Sequence, residues 1–249
     1  MSTQPQLPTA DTPPNFKPFI ILTTRLLIVP TPLAIDSPSY ISLYQSLHAN
    51  QAFCEMGFGK EFLAVQWTEE QTREKIVGFD VGVSWAENEL GDFGVALRHV
   101  NGKEVMEARV LDGLEEERKG LEVMIVESGE EVNRLISSPQ WIGYAGVRDC
   151  TYSIPARLPS DPALPPLHER IELRYGIAPA HWGKGLASEA AKAVIQWAKT
   201  EKGVKRLLAE TEGDNSRSAR VLEKMGFVEL EGNLFWKDGG QKEWGWWIG

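Results

Sequence analysis

The sequence has little cysteine: two residues in 249, Cys54 and Cys150, far apart and in no metal-binding spacing. A secreted chain of this length ordinarily carries more, in pairs, so a reducing, cytoplasmic compartment is expected. Free, buried thiols are expected at both positions. A membrane-crossing helix needs about 20 near-continuous apolar residues. The apolar stretch from Phe19 to Val29 falls short, broken by Arg25 and bounded by Pro18, Pro30, Pro32 and Pro38. The opening MSTQPQLPTADTPPNF has neither the basic nor the apolar segment of a secretion signal. A positive surplus is missing too: 26 Lys+Arg against 35 Asp+Glu give a formal charge of −9. That balance disfavours nucleic acid or an anionic membrane as the main partner.

What is present is an ordinary globular composition, 42% hydrophobic and 24% charged, able to bury a sizeable core. The charge is unevenly spread. Residues 101–135 hold ten Asp/Glu and five Lys/Arg, whereas Arg170 to Lys224 hold eleven Lys/Arg and seven Asp/Glu, a local +4. Eight of the fifteen prolines lie in the first 38 residues, so residues 1–15 read as a loose arm ahead of a single domain, 16–249. The acidic stretch, taken as 101–139, reads as an insertion holding a hairpin and a helix, mostly a solvated face. Residues 150–168, with five prolines between Pro155 and Pro166, read as a surface loop.

Periodicity supplies the rest. Strands are expected at Thr24–Val29, Phe93–Leu97, Trp141–Val147, Ile171–Ile177, Val204–Glu210, Phe227–Leu230 and Glu243–Ile248. Helices are expected at Ser37 to about Met56, from a capping box at Thr68–Gln71 to Trp85, at Leu186–Lys202 and at Ser216–Met225. In the third of these, Leu186, Ala190, Ala193, Val194 and Trp197 share the apolar stripe, with Glu189, Lys192, Gln196 and Lys199 facing out.

The chemistry lies in Tyr175-Gly-Ile-Ala-Pro-Ala-His-Trp-Gly-Lys-Gly-Leu-Ala-Ser-Glu189, a strand running through a glycine loop into a helix. Glycine lets backbone approach a ligand without a Cβ in the way. The first helical N–H groups lack intrahelical partners and, with the helix dipole, make an anion site suited to a pyrophosphate. The N–H groups of residues 182–187 are the expected cradle, with Lys184 and His181 at its rim. A dinucleotide fold also joins strand to helix by glycines, but Ser188 stands at its third glycine position and only 64 residues follow Gly185.

A second segment, Asn215-Ser-Arg-Ser-Ala-Arg-Val-Leu-Glu-Lys-Met-Gly-Phe227, opens a short helix and closes it with Met-Gly-Phe. Together the two segments resemble the GNAT superfamily of acyl-CoA N-acyltransferases, with its Q/R-x-x-G-x-G/A loop and downstream Asn-helix-Gly-Phe. The likeness is to the branch of RimJ/RimL-type ribosomal-protein N-acetyltransferases, over residues 19–249. It implies an α/β (α+β) fold: a mixed, mostly antiparallel sheet of six to seven strands flanked by about four helices. The acidic insertion would fall between the second and third strands.

It also implies acetyl-CoA as cofactor. Ile177 and Ala178 would pair with the pantetheine arm. Trp182, Gly183, Lys184, Gly185, Leu186, Ala187 and Ser188 would hold the pyrophosphate. Asn215, Ser218 and Arg220 would complete the cofactor site, with Arg217 or Lys224 near the adenosine phosphates. The Q/R position is Ala180, and Leu222 stands where many relatives place a tyrosine acid. That second departure keeps open an alternative, an inactive coenzyme-A-binding regulatory module. Glu172 is the candidate base and Ser218 a candidate thiolate donor, with His168 and Glu169 as weaker candidates for the base. No Cys/His or Ser/His/Asp set suggests a covalent intermediate, so direct transfer to a primary amine is expected. The acceptor would be a small molecule or a protein N-terminus, and the enzyme a monomer or homodimer, with no metal. The tryptophans Trp236, Trp244, Trp246 and Trp247 are expected mainly as packing.

Overall fold

A computed structural model describes residues 12–98, 107–111, 121–154, 156–231, 235–236 and 240–248. Most of the 1–15 arm and the middle of the acidic stretch lie outside these residues. In chain order the elements are β1 (Ile20–Leu22), β2 (Leu26–Pro30), α1 (Thr31–Ala34), α2 (Pro38–His48), α3 (Gln51–Phe58) and α4 (Glu69–Lys75). A π-helix, Ile76–Trp85, continues α4 into α5 (Ala86–Asn88). Then come β3 (Asp92–Leu97), β4 (Ala108–Val110), β5 (Met124–Val126), α6 (Gly129–Leu135), β6 (Gln140–Asp149) and β7 (Ile171–Ile177). The chain finishes with α7 (Leu186–Lys202), β8 (Arg206–Glu212), α8 (Ser216–Met225), β9 (Val228–Glu229) and β10 (Gln241–Trp247).

The strands form one ten-stranded sheet in the order β4-β5-β1-β2-β3-β6-β7-β8-β10-β9. All neighbours are antiparallel except β7 and β8, which run parallel. The expected class holds, but the sheet is larger than the six to seven strands expected. β1, β4 and β5 are three-residue strands, too short for a period-2 pattern to show. β4 and β5 belong to the acidic stretch between β3 and β6. They pair with each other and, through β5, with β1, so they widen the sheet. Among the described residues its outer edges are therefore the three residues of β4 and the two of β9.

Each face carries its own core. On one, α7 lays Leu186, Ala190, Ala193, Val194 and Trp197 against Ile28, Phe93, Val95, Ile142, Leu173 and Ile177. Trp197 stacks on Phe19 at 5.4 Å and meets Phe93 edge-on at 5.0 Å. On the other face, Ile20, Leu22, Leu27, Val29 and Trp141 pack under α1, α2 and the π-helix through Ala34, Tyr40, Ile41 and Val81. Glu189 does not face out as its helical position predicts: it is buried in the first turn of α7. The single helix expected from Ser37 to Met56 is two, because Asn50 stops and restarts it, capping α3 by accepting from Phe53 N at 3.0 Å. The Thr68–Gln71 capping box forms as expected. Cys54 and Cys150 are free and buried. No helix among the described residues is long and apolar enough to cross a membrane.

Candidate active site

The site follows from one irregularity of the sheet. β7 and β8 pair only at Ile171↔Leu207 and Glu172↔Leu208. Beyond those positions the two parallel strands pair no further, while β7 stays on β6 as far as Ile177↔Gly143. Strand alternation then decides where the β7 backbone points. Ala178 N donates to Ile142 O, toward β6. Its odd-numbered neighbours Leu173, Tyr175 and Ile177 turn their N–H and C=O the other way, into the gap. Ile177 O already accepts from Trp182 Nε1 at 2.6 Å, which folds the indole across the top of the gap. Arg217, at the start of α8, places its guanidinium 5.4 Å over the same ring.

The glycine loop closes this end. Pro179–His181 form a single 3-10 turn, and Gly183 and Gly185 both sit at φ +74°. Left-handed backbone strains any residue with a Cβ, which is why glycine stands at both. Gly185 is the N-cap of α7, and Glu189 N is the first amide to bond back, to Gly185 O at 3.1 Å. The N–H groups of Leu186, Ala187 and Ser188 thus point out of the helix end. Lys184 is exposed and donates from Nζ to Ala180 O at 3.0 Å. Burial and Lys184 hold the His181 imidazole below its usual range.

An acid in that first turn would oppose an anion, but the charge of Glu189 is absorbed locally. Thr23 Oγ1 donates to it at 2.5 Å, and Arg25 grips it through Nε at 2.6 Å and Nη2 at 2.5 Å. Arg25 Nη1 also donates to Lys184 O at 3.0 Å. The β1–β2 turn thereby clamps the glycine loop to α7. Sequence reasoning missed Arg25, 159 positions from Lys184, because nothing local marks such a pairing.

On the α8 side, Asn215 is both cap and tether. Its Oδ1 accepts from Ser218 N at 3.0 Å and its Nδ2 donates to Met56 O, in α3, at 2.5 Å. Ser218 Oγ lies 2.6 Å from the Tyr175 hydroxyl. Burial pushes the Tyr175 phenol up to about 12, the Ser218 bond only partly offsetting it. Leu222 is buried and Arg220 exposed.

The opposite face of the sheet carries the acids. Glu172 is buried, accepting from Arg148 Nε at 3.0 Å and from the Ser153 hydroxyl. It thus pairs with Arg148, while Arg174 pairs with Asp92 at 2.9 Å. Glu172 also sits where β7 and β8 still pair, below the gap. Glu210 stands beyond it on the same face, two residues past Leu208 on β8 and opposite Glu243 on β10. Among the described residues the Glu210 carboxyl has no hydrogen bond or ion pair. Partial burial, then the charges of Glu172, Glu212 and Glu243, push its carboxyl up to about 7. Its signal in the sequence was slight: an acid in an otherwise apolar strand. His168 and Glu169 lie at the far end of β7 and face each other at 3.5 Å. Trp236 and Trp244 are core, whereas Trp247 is exposed.

Lys60 reaches from the loop after α3 to Asp214, beside the Asn215–Met56 bond. Together the two contacts strap α3 to the turn before α8, on the acid side of the gap. No group of three or more His, Cys, Asp or Glu among the described residues could hold a metal ion.

Comparison with known proteins bears on the family and the fold. The family model described as an acetyltransferase (GNAT) domain matches residues 25–228. The uncharacterized N-acetyltransferase YoaA of Bacillus subtilis (strain 168) is 42% identical over 72 residues, 29% of this chain and 40% of that protein. The uncharacterized N-acetyltransferase p20 of Bacillus licheniformis is 37% identical over 65 residues, 26% of this chain and 36% of that protein. The chain therefore matches well under half the length of these curated relatives. Among solved structures, the acetyltransferase from Agrobacterium tumefaciens str. C58 superposes with a TM-score of 0.54 at 18% identity, covering 91% of this chain and 93% of that one. RimL, a ribosomal L7/L12 alpha-N-protein acetyltransferase in complex with coenzyme A, superposes with a TM-score of 0.52 at 12% identity, covering 90% and 95%. At such identities the likeness is one of fold.

Proposed function

The chain belongs to the GNAT acetyltransferase family, and on that premise we propose that it is an N-acetyltransferase moving an acetyl group from acetyl-CoA to a primary amine by direct attack. The observation that carries this is the divergence of β7 from β8 directly beside the amino end of α7. A strand edge with outward amides and carbonyls suits an amide-bearing arm, and a helix end behind two left-handed glycines suits a pyrophosphate. Acetyl-CoA supplies the activated acetyl thioester when bound.

In this reading Leu173, Tyr175 and Ile177 offer backbone to the pantetheine arm, with Ala178 beginning the turn. Trp182 caps the gap through its bond to Ile177 O. Gly183, Lys184, Gly185, Leu186, Ala187 and Ser188 form the phosphate cradle, and Arg217 and Arg220 add charge from α8. Asn215 holds the first turn of α8 and ties it to α3, a role met by bonds already on it.

Glu210 accepts the proton that the amine sheds as its nitrogen bonds the acetyl carbon and the C–S bond breaks. A base with a pKa near the working pH gives the best compromise between protonation state and driving force. Glu172, fixed by Arg148 and Ser153, acts through Glu210 by keeping that carboxyl's proton affinity high. The Tyr175 hydroxyl, protonated and backed by Ser218, donates to the departing thiolate. It supplies from β7 what Leu222 lacks.

Release of free thiol from acetyl-CoA across a panel of amines tests the reading. Amine-dependent release is expected. Tight coenzyme A binding without turnover on any amine would favour the inactive binding module instead.

A further inference from the structure

A cavity of about 480 Å³ opens on the acid-bearing face of the sheet. Its floor is Asp92, Arg148 and Arg174 on three adjacent strands, β3, β6 and β7. Tyr40 and Tyr44 of α2 and Phe79 of the π-helix wall it. The floor depends on Gly146, where a Cβ would meet Asp92 Oδ1 at 2.1 Å. The cavity adjoins the proposed transfer site through Arg174, two residues past Glu172 on β7 as Glu210 is two past Leu208 on β8.

The chemistry of the floor selects its occupant. A guanidinium carries five N–H donors. Arg174 donates from Nη1 to Asp92 Oδ2 at 2.9 Å, and among the described residues its Nε and Nη2 have no acceptor. Arg148 donates from Nε to Glu172 and from Nη2 to Ser153 Oγ at 2.6 Å, leaving Nη1 in the same position. The two side chains keep 20% and 10% of their exposure, and both line this cavity. Lys75 adds a third cation at the wall.

The acids offer a cation little in return. Asp92 and Glu172 already pair with Arg174 and Arg148. Asp80 accepts from Asp92 N at 2.8 Å through Oδ1, and its Oδ2 is buried without a partner. Burial and the charge of Asp92 raise the Asp80 carboxyl well above the usual range, which disfavours its charged form. An ammonium would face three cations, with the exposed Glu74 at the wall as the one lining acid among the described residues neither paired nor buried. A carboxylate would meet unspent, partly desolvated N–H donors in the forked geometry that suits it.

We infer that this cavity receives a carboxylate carried by the acceptor, held by Arg174 and Arg148 while the acceptor's amine reaches Glu210. The inference rests on the transferase reading for the amine, but the carboxylate site can be measured without transfer. The carboxylate has two sources, the main-chain carboxylate of a free amino acid or an acidic side chain near a peptide's amino terminus.

Titration calorimetry on the full chain saturated with coenzyme A separates them. Alanine is compared with alaninamide, and the peptide Ala-Glu-Ala-amide with Ala-Gln-Ala-amide. The acidic member of one pair is expected to bind tenfold or more tightly than its neutral partner, and the discriminating pair identifies the source. Arg174→Gln should erase that difference with coenzyme A affinity unchanged. Arg174→Lys, which keeps the charge opposite Asp92 but not the fork, should reduce it and serves if the glutamine variant does not fold. Equal binding within both pairs, or undiminished discrimination in both variants, overturns the inference. Acidic probes that bind without any acetyl transfer would sink the transferase reading and leave the carboxylate site standing. Transfer without discrimination would do the reverse.

Discussion

The Tyr175 hydroxyl and Ser218 Oγ lie 2.6 Å apart, joining β7 to α8 across the unpaired end of the parallel strands. Tyr175 reaches that position from the apolar side of its strand, between Leu173 and Ile177. Its phenol, held near 12 by burial, stays protonated at any working pH. Tyr175→Phe is expected to lower kcat by about 10- to 100-fold, the scale of one positioned proton donor. Ser218→Ala should cost less, since the phenol remains. Steady-state rates with coenzyme A affinity measured alongside check this. A kcat unchanged in Tyr175→Phe would remove the tyrosine from the chemistry.

Glu210 ties activity and stability to the same proton. The rate should rise with pH through about 7 as the carboxyl ionises, and Glu210→Gln should lose that limb together with about 100-fold in kcat/KM. Glu172→Gln should retain the limb but move it to lower pH, because the Glu172 charge is among the causes of the raised value. The linkage has a definite sign. The native carboxyl still holds a proton between 4.5 and about 7, where the unfolded chain has released it, so this contribution to stability is lost as pH rises across that window. Denaturant melts of Glu210→Gln should show a shallower fall there than the parent.

Gly183 and Gly185 separate conformational strain from crowding. A Cβ at Gly183 would meet nothing within 4 Å, and one at Gly185 would find only Arg25 Nη2 at 3.7 Å. Alanine at either position should therefore cost stability through the left-handed φ alone, roughly 1–2 kcal/mol. Coenzyme A affinity should fall as well if that strain shifts the cradle amides. Thermal melts and calorimetry report the two effects separately.

His48 is a buried imidazole with neither ring nitrogen hydrogen-bonded among the described residues. Tyr44, Phe58 and Trp67 surround it at 4.7, 5.6 and 4.5 Å. Burial, with Arg174 and Lys75 adding to it, lowers its pKa from 6.5 to about 4. The unfolded chain takes up this proton first, so stability is lost as pH falls from 6.5 towards 4, by roughly 2–3 kcal/mol. His48→Phe should remove that slope and raise stability at pH 5. Unfolding free energies at pH 5 and 7 decide the matter. A slope unchanged by the substitution would place the titration elsewhere.

The α7 segment and its glycine loop were legible because they write their geometry locally. Glycines stand where φ is positive, and an apolar stripe repeats at helical spacing from Leu186 to Trp197. The alternation of Ile171, Leu173, Tyr175 and Ile177 likewise identified one face of β7. The same alternation hid Tyr175, since a hydroxyl at the end of an apolar face reads as packing. Glu189 looked solvent-facing by position and is buried, because its partners Thr23 and Arg25 come from the far end of the chain. Glu172 and Glu210 could not be ranked by sequence at all. What separates them is pairing, Arg148 and Ser153 on one and nothing on the other, and that exists only once β6, β7 and β8 lie side by side.

The ends of the sheet bear on how copies of the molecule meet. A row of open amides and carbonyls is where a stray strand adds on, and ordered growth of that kind needs several residues in register. Among the described residues the outermost strands offer three positions and two. Their side chains are occupied as well, Arg109 by Glu127 and Glu201, and Glu229 by Lys242. A wide, largely apolar sheet is thereby finished at both sides in a way that resists fibrous growth, and the acidic stretch that looked like decoration supplies one of the two hems.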